Sequence, residues 1–242
     1  MKRLAQRLYG VWCWTAFLPL ALGTLALVLV APGLERRRSI ARGGARAFLA
    51  AAGIPLSVRG LEHLPPGPCV VVANHASYLD GVVMQAALPP RFAFVIKKEM
   101  VNVPLASLLL RRLGSEFVDR TKREARAADA RRVLKRAATG QAIGFFPEGT
   151  FAPEAGLGPF HAGAFVTAAR AGLPVVPVAL RGTRAILPAE ASLPKPGRIE
   201  VELLPALAPG TSDERDRAER LKREARAAIL ARVGEPDLTA AA

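Results

Sequence analysis

Between Arg7 and Glu35 the chain carries no charged residue for 27 positions, and most of them are apolar. As continuous helix that run would reach ~40 Å at 1.5 Å per residue, against a hydrocarbon core of ~30 Å. It is expected in or on a membrane. Pro19 divides it into two halves of about three turns each, leaving open a kinked single span or a shallow re-entrant or interfacial pair. Tyr9, Trp12 and Trp14 suit an interface belt. Residues 39 to 52, SIARGGARAFLAAA, then predict a basic helix closed by Gly53, its arginines against anionic headgroups.

After residue 52 short apolar runs alternate with amphipathic ones. Strands are predicted around Leu56 to Arg59, Cys69 to Ala73, Phe92 to Ile96, Glu116 to Val118, Ile143 to Phe146, Pro174 to Leu180 and Ile199 to Leu203. Between them, helices are predicted after Asp80 to about Leu88, through SLLLRRLG, from the Thr121/Glu124 capping-box spacing to Gly140, and over 159 to 171. Thr211 with Glu214 is expected to cap a final helix with the stripe Ala218, Leu221, Ala225 and Ile229. This alternation predicts an α/β fold, with a membrane-associated helical segment over 1–52, an α/β domain over 53–234 and a frayed tail over 235–242.

A formal charge of +14 implies anionic partners: nucleic acid, acidic lipid headgroups or a phosphorylated substrate. The chain has neither a zinc pattern nor an RNP-type aromatic motif, which argues against nucleic acid. Its two cysteines, Cys13 and Cys69, fall in apolar runs, so no disulfide framework or metal cluster is expected. Arg36, Arg37, Arg38, Arg42 and Arg46 outnumber Lys2, Arg3 and Arg7 at the other end of the apolar run. That bias places the rest of the chain on the cytoplasmic face of the cytoplasmic membrane.

The candidate chemistry sits where strands end. His75 precedes Asp80 by five residues in NHASYLD, 74 to 80. Within one helix that spacing would hold the two side chains apart, so the pair meets only if His75 lies in the turn before a helix carrying Asp80. A carboxylate on one ring nitrogen would fix the tautomer and leave the other as a general base. Asn74 is either a helix cap or a substrate contact, and Ser77 lacks the G-x-S-x-G elbow of a nucleophile. His161 reads as a helix-face residue, and His63 has no argued role. With His75, the residues Lys97, Arg120, Glu148 and Arg181 all fall at carboxyl ends of predicted strands, the side on which open α/β sheets bind ligands.

Four blocks in order, NHASYLD (74 to 80), GSEFVDR (114 to 120), FPEGT (146 to 150) and LPVVPVALRG (173 to 182), resemble the lysophosphatidic acid acyltransferases of the glycerolipid acyltransferase superfamily. KKEMVNVPL (97 to 105) also matches. The resemblance implies a central mixed, mostly parallel sheet flanked by helices. It implies His75 as base and Asp80 as its partner. Arg120, Glu148, Gly149 and Thr150 fall at acceptor-binding positions, and Lys97, Lys98 and Arg181 are further phosphate candidates. Glu148 is expected to hold a glycerol hydroxyl or to position Arg120.

No cofactor or metal is implied; the co-substrate is an acyl thioester of acyl carrier protein or coenzyme A, the acceptor a lysophospholipid. Phe151 and His161 depart from the family pattern, each removing an expected anion contact. They leave another lysolipid, such as a lyso-ornithine lipid, as the alternative acceptor. A non-catalytic lipid-binding protein is the second alternative.

Overall fold

The computed structural model describes residues 2–119 and 123–240, without the side chains of residues 2 and 123–127. α1 (Lys2–Val30) and α2 (Leu34–Ala51) form a hairpin, turned at 31–33. Its far end is closed by the Tyr9 hydroxyl and the Trp12 indole N–H, which donate to the carbonyls of Ala52 and Ala51. α1 runs through Pro19 without interruption. Proline removes a donor, but Pro19 lies on the exposed face, while packing on either side of it holds the axis: Phe17 against Phe48, and Thr24 over Gly44. Over an 18-residue window α1 has a mean hydropathy of 2.1 and is only 17% buried.

The second helix departs from its predicted role. Arg38 is buried, donating to the carbonyls of Leu113 and Arg91 at 2.9 Å each, and Arg42 donates to that of Ala86. Burial pushes the Arg38 guanidinium down to about 10. Arg42 therefore docks α2 onto the α/β layer rather than onto headgroups, as does Arg38 just before the expected helix; Arg36 and Arg46 remain exposed. Phe48, Leu49 and Ile54 lie in one core with the sheet, so residue 52 marks no linker.

The remaining elements are β1 (Leu56–Arg59), β2 (Val70–Ala73), α3 (Leu79–Ala87), β3 (Phe92–Lys97), α4 (Pro104–Arg112), β4 (Glu116–Val118), α5 (Arg123–Ala138), β5 (Ala142–Phe145), α6 (Gly163–Ala171), β6 (Val175–Arg181), α7 (Thr183–Ile186), β7 (Ile199–Leu203) and α8 (Glu214–Val233). The sheet order is β1-β7-β6-β2-β5-β3-β4; only the β6–β7 pair is antiparallel. Five strands, β2 to β6, thus present their carboxyl ends on one edge.

β2 is buried throughout because both sheet faces are covered, which is why its sequence is apolar without alternation. Val71 and Ala73 face Phe48, Leu49 and Met84; Val70 and Val72 face the layer of Phe165, Leu221 and Ile229. Each such large side chain contributes ~1.5–3 kcal/mol by leaving water.

Two further expectations fail locally, and a third is not reached. The cap of α8 is Asp213, whose side chain accepts from the N–H groups of Arg215 and Asp216; Thr211 is not the cap. The Thr121 cap lies outside the described residues. Residues 235–240 are held rather than frayed: Glu235 pairs with Arg184, Asp237 with Arg226, and Leu157 bridges Asp237.

Candidate active site

β2 delivers its carboxyl end into a tightly bonded turn. Asn74 donates to the carbonyl of Leu180 at 3.0 Å and accepts from the Leu180 N–H at 2.7 Å, stitching the turn to β6. It is therefore neither helix cap nor free substrate contact. The next residue, His75, donates its backbone N–H to Glu148 Oε1 at 2.7 Å, and its Nδ1 lies 2.8 Å from Asp80 Oδ2.

Asp80 is fully buried in the first turn of α3. The same Oδ2 also accepts from the N–H groups of Ala76 at 2.6 Å and Ser77 at 2.8 Å. Three donors on one oxygen fix the carboxylate, and the backbone donors leave it one orientation toward the imidazole. Since Asp80 accepts at Nδ1, the ring proton sits there and Nε2 carries the free lone pair. The His75 side chain keeps 19% of its surface open, enough to present an edge to a substrate. Ser77 is turned away, donating to the carbonyl of Leu187 at 2.7 Å and accepting from the Leu79 N–H. That geometry removes it as a nucleophile.

Aromatic rings hold the imidazole in place. Phe146 stacks on it at 4.4 Å between centroids with 23° between planes, and Phe151 meets it edge-on at 4.7 Å. Tyr78, itself exposed, packs perpendicular to Phe151 at 4.8 Å. Phe146 also lines a cleft of about 420 Å³ at the carboxyl ends of β3, β4 and β5. Val95, Val118, Val133 and Phe145 give it apolar walls, with Asp119, Asp129 and His161 among its polar groups.

The FPEGT block is bound inward to its neighbours. β5 ends just before it, and Gly149, at φ +83°, makes the turn with its N–H on the carbonyl of Phe146. Glu148 uses both oxygens inward: Oε1 accepts from His75 and Oε2 from the Gly158 N–H at 2.9 Å. Burial pushes its carboxyl above the usual range, and those two backbone bonds pull it back down. Glu148 thus has both oxygens engaged by the backbone of His75 and Gly158, while Thr150 is exposed at the turn.

The expected basic cluster is only partly assembled. Lys97 is exposed and 3.3 Å from Glu99, and Lys98 lies 3.1 Å from Asp119. Arg181 does not join His75. It stands opposite Glu200 in the antiparallel register, bonds it at 2.7 Å and also donates to the carbonyl of Arg232. The cause is the antiparallel β7, whose acidic residues capture the strand-end cation. Arg120 lies outside the described residues. Among the described residues no group of three or more His, Cys, Asp or Glu is arranged for a metal. The sequence reading missed Arg184, which binds the carbonyl of Ala152 beyond the FPEGT turn, and the ring of Phe146 over His75. A lone arginine inside a four-residue helix gives no periodic signal.

Comparison with known proteins identifies the family and the fold. A family model described as Acyltransferase matches residues 55–181, just over half of the 242-residue chain. A chloroplastic 1-acyl-sn-glycerol-3-phosphate acyltransferase of Brassica napus is 35% identical over 54% of this chain and 38% of its own. The alpha form from Mus musculus is 34% identical over 63% of this chain and 55% of its own. The Pseudomonas aeruginosa 1-acyl-sn-glycerol-3-phosphate acyltransferase is 33% identical over 64% and 60%. The chain therefore spans about two fifths to three fifths of the length of these curated relatives. The crystal structure of the 1-acyl-sn-glycerophosphate acyltransferase PlsC from Thermotoga maritima superposes with a TM-score of 0.77 at 21% identity. That match covers 95% of this chain and 96% of the other, and it shows a shared fold.

Proposed function

The chain belongs to the acyltransferase family, and from that membership we propose that it moves a fatty acyl group from a thioester to the free hydroxyl of a lysophospholipid. The favoured acceptor is 1-acylglycerol 3-phosphate, which would become phosphatidic acid. The observation that carries the reading is the buried Asp80 carboxylate 2.8 Å from His75 Nδ1, with the ring partly open and stacked on Phe146, which also lines an apolar cleft.

His75 Nε2 takes the acceptor's hydroxyl proton as the oxygen attacks the thioester carbonyl. A tetrahedral intermediate forms, collapses by breaking the C–S bond, and the imidazolium returns its proton to the departing thiolate. Asp80 holds the tautomer and stabilises the imidazolium between these transfers. Base catalysis of this kind supplies ~10²–10⁴ in rate. No acyl-enzyme is required, since the acceptor oxygen is itself the nucleophile. The cleft that Phe146 lines has the apolar walls suited to an alkyl chain. Arg120, Lys97, Lys98, Gly149 and Thr150 remain candidates for the acceptor headgroup, and the donor is an acyl carrier protein or coenzyme A thioester.

The protein is read as interfacial, with its catalytic layer on the cytoplasmic face of the cytoplasmic membrane. α1 exposes Leu4, Leu8, Val11, Leu18, Leu22 and Leu27, yet it is packed along α2, which Arg38 and Arg42 tie to the α/β layer. A helix so held lies along a leaflet more readily than it crosses one. α4, in contact with α1, adds exposed Leu105 and Leu108, with Val103 just before it, beside the basic Arg111 and Arg112.

One observation favours a second acceptor. Phe151 follows the FPEGT turn and spends its surface on His75 and Tyr78, with no cationic group to offer a phosphate. A lysolipid without a phosphate monoester, such as a lyso-ornithine lipid, fits such an aromatic wall. Both donors are to be offered against a mixed lysolipid set and the products identified by mass. Acylated product from wild type, abolished in His75→Ala and in Asp80→Ala, is expected; undiminished turnover in both variants would remove the mechanism.

A further inference from the structure

The segment after α8 is tied by an unbroken chain of hydrogen bonds to the backbone of His75. Gly234, at φ +69°, ends α8 and turns the chain back. Glu235 then accepts from Arg184 Nε at 2.9 Å and Nη2 at 3.2 Å, and from the Gly156 N–H at 2.9 Å. The same guanidinium donates to the carbonyls of Ala152 at 2.8 Å and Gly156 at 3.5 Å, spanning both ends of the loop beyond FPEGT. Two residues on, Asp237 pairs with Arg226 of α8, which donates to the carbonyls of Leu157 at 3.0 Å and Gly158 at 3.1 Å. The backbones also zip together: the Leu157 N–H donates to the carbonyl of Pro236, and the Leu238 N–H to that of Leu157.

The loop so clamped carries two contacts of the base. Its Gly158 N–H holds Glu148 Oε2, and Glu148 Oε1 holds the His75 N–H. At its other end Phe151 packs edge-on against the imidazole. A Cβ at Gly158 would stand 3.1 Å from Glu148 Oε2, so the loop has little room to shift without moving that carboxylate. Arg184 and Arg226 are both largely buried, at 14% and 17% side-chain exposure, where forked bonds to fixed carbonyls hold more firmly than surface pairs.

We propose that residues 235–239, with Arg184 and Arg226, are a positioning strap that fixes the 150–158 loop and, through Glu148 and Phe151, the base His75. The strap touches neither substrate nor the reacting atoms. It acts on the reaction by limiting the drift of the imidazole, and it rests on the acyl-transfer reading above. A displacement of about 1 Å in a catalytic group can cost ~10²-fold in rate.

The test compares wild type with a chain ending at Gly234, with Arg184→Lys, and with Glu214→Gln, which removes only the surface pair to Arg170. A lysine keeps the charge toward Glu235 but cannot fork to two carbonyls as well. Acyl transfer, thermal midpoint and amide exchange by segment are measured on each. Expected are a kcat loss on the order of 10²-fold at unchanged KM for the shortened chain, and an intermediate loss for Arg184→Lys. Faster exchange should be confined to 147–158 in both, with Glu214→Gln like wild type. A kcat within about twofold of wild type in both strap variants overturns the proposal. So does exchange that rises evenly over the whole fold in Arg184→Lys. If wild type transfers no acyl group, the functional reading fails, while the exchange pattern still decides whether the strap holds the loop.

Discussion

Asp80 makes the sharpest residue-scale prediction because all its bonds converge on one oxygen. Oδ2 accepts from His75, Ala76 and Ser77, while Oδ1 is buried without a hydrogen-bond partner. In Asp80→Asn the amide oxygen can keep all three bonds with the new NH2 at the Oδ1 position. The fold and the His75 tautomer are then retained, but the charge that stabilises the imidazolium is gone. A kcat loss of ~10²–10⁴ is expected in protein that still folds cooperatively, its midpoint lowered only by the ~1–3 kcal/mol that the unpartnered buried NH2 costs. A midpoint that collapses together with kcat would show the carboxylate to be structural instead.

Glu148 predicts a pH effect of definite sign. Its carboxyl is raised above 4.5, mainly by burial, so between that value and the raised one the folded protein binds more protons than the unfolded chain. Its contribution to stability therefore grows as pH falls through that window and shrinks as pH rises. The thermal midpoint of wild type minus that of Glu148→Gln should increase as pH is lowered toward 4.5. A difference that stays flat with pH contradicts the assignment.

At the scale of elements, α2 is the piece whose pattern misleads. Its arginines give the periodicity of a headgroup-binding helix, yet Arg38 points inward because the backbone carbonyls of Leu113 and Arg91 need a donor there. Removing one partner of a buried bond strands the other, so Arg38→Ala should cost about 2–3 kcal/mol in denaturant unfolding. Arg46→Ala, on the exposed face, should cost less than about 0.5 kcal/mol. α4 makes the complementary case. Leu105→Asp with Leu108→Asp removes exposed apolar surface and should weaken vesicle binding while leaving the midpoint unchanged. Unaltered vesicle binding would leave α1 as the lipid contact without α4.

Over the whole molecule, the +14 charge and the exposed face of α1 act on a membrane by different physics. Charge attraction is screened, with a Debye length of ~10 Å at 0.1 M salt and ~3 Å at 1 M, whereas apolar insertion is not. Binding to phosphatidylglycerol vesicles should fall as salt rises until it equals binding to phosphatidylcholine vesicles, and then level off. Salt-sensitive retention on duplex DNA without retention on anionic vesicles would instead revive the nucleic-acid reading.

The sequence by itself determined the α/β alternation, every strand to within a residue or two, the apolar helix at the start and the His75/Asp80 pair. These are local properties: apolar periodicity, turn residues and a five-residue spacing survive in one dimension. Tertiary structure alone decided which strand ends meet. β2, β5 and β6 lie side by side, so Asn74, Glu148 and Leu180 close around His75 although they stand far apart along the chain. β7 runs antiparallel to β6, and that reversal draws Arg181 to Glu200 and out of the site. The segment beyond Gly234 has no periodicity to read, and what orders it is Arg184, 51 residues before its partner Glu235, and Arg226, 11 residues before Asp237. A hydrogen bond between distant residues leaves no spacing in the sequence, so the frame that holds His75 became visible only when the sheet brought its parts together.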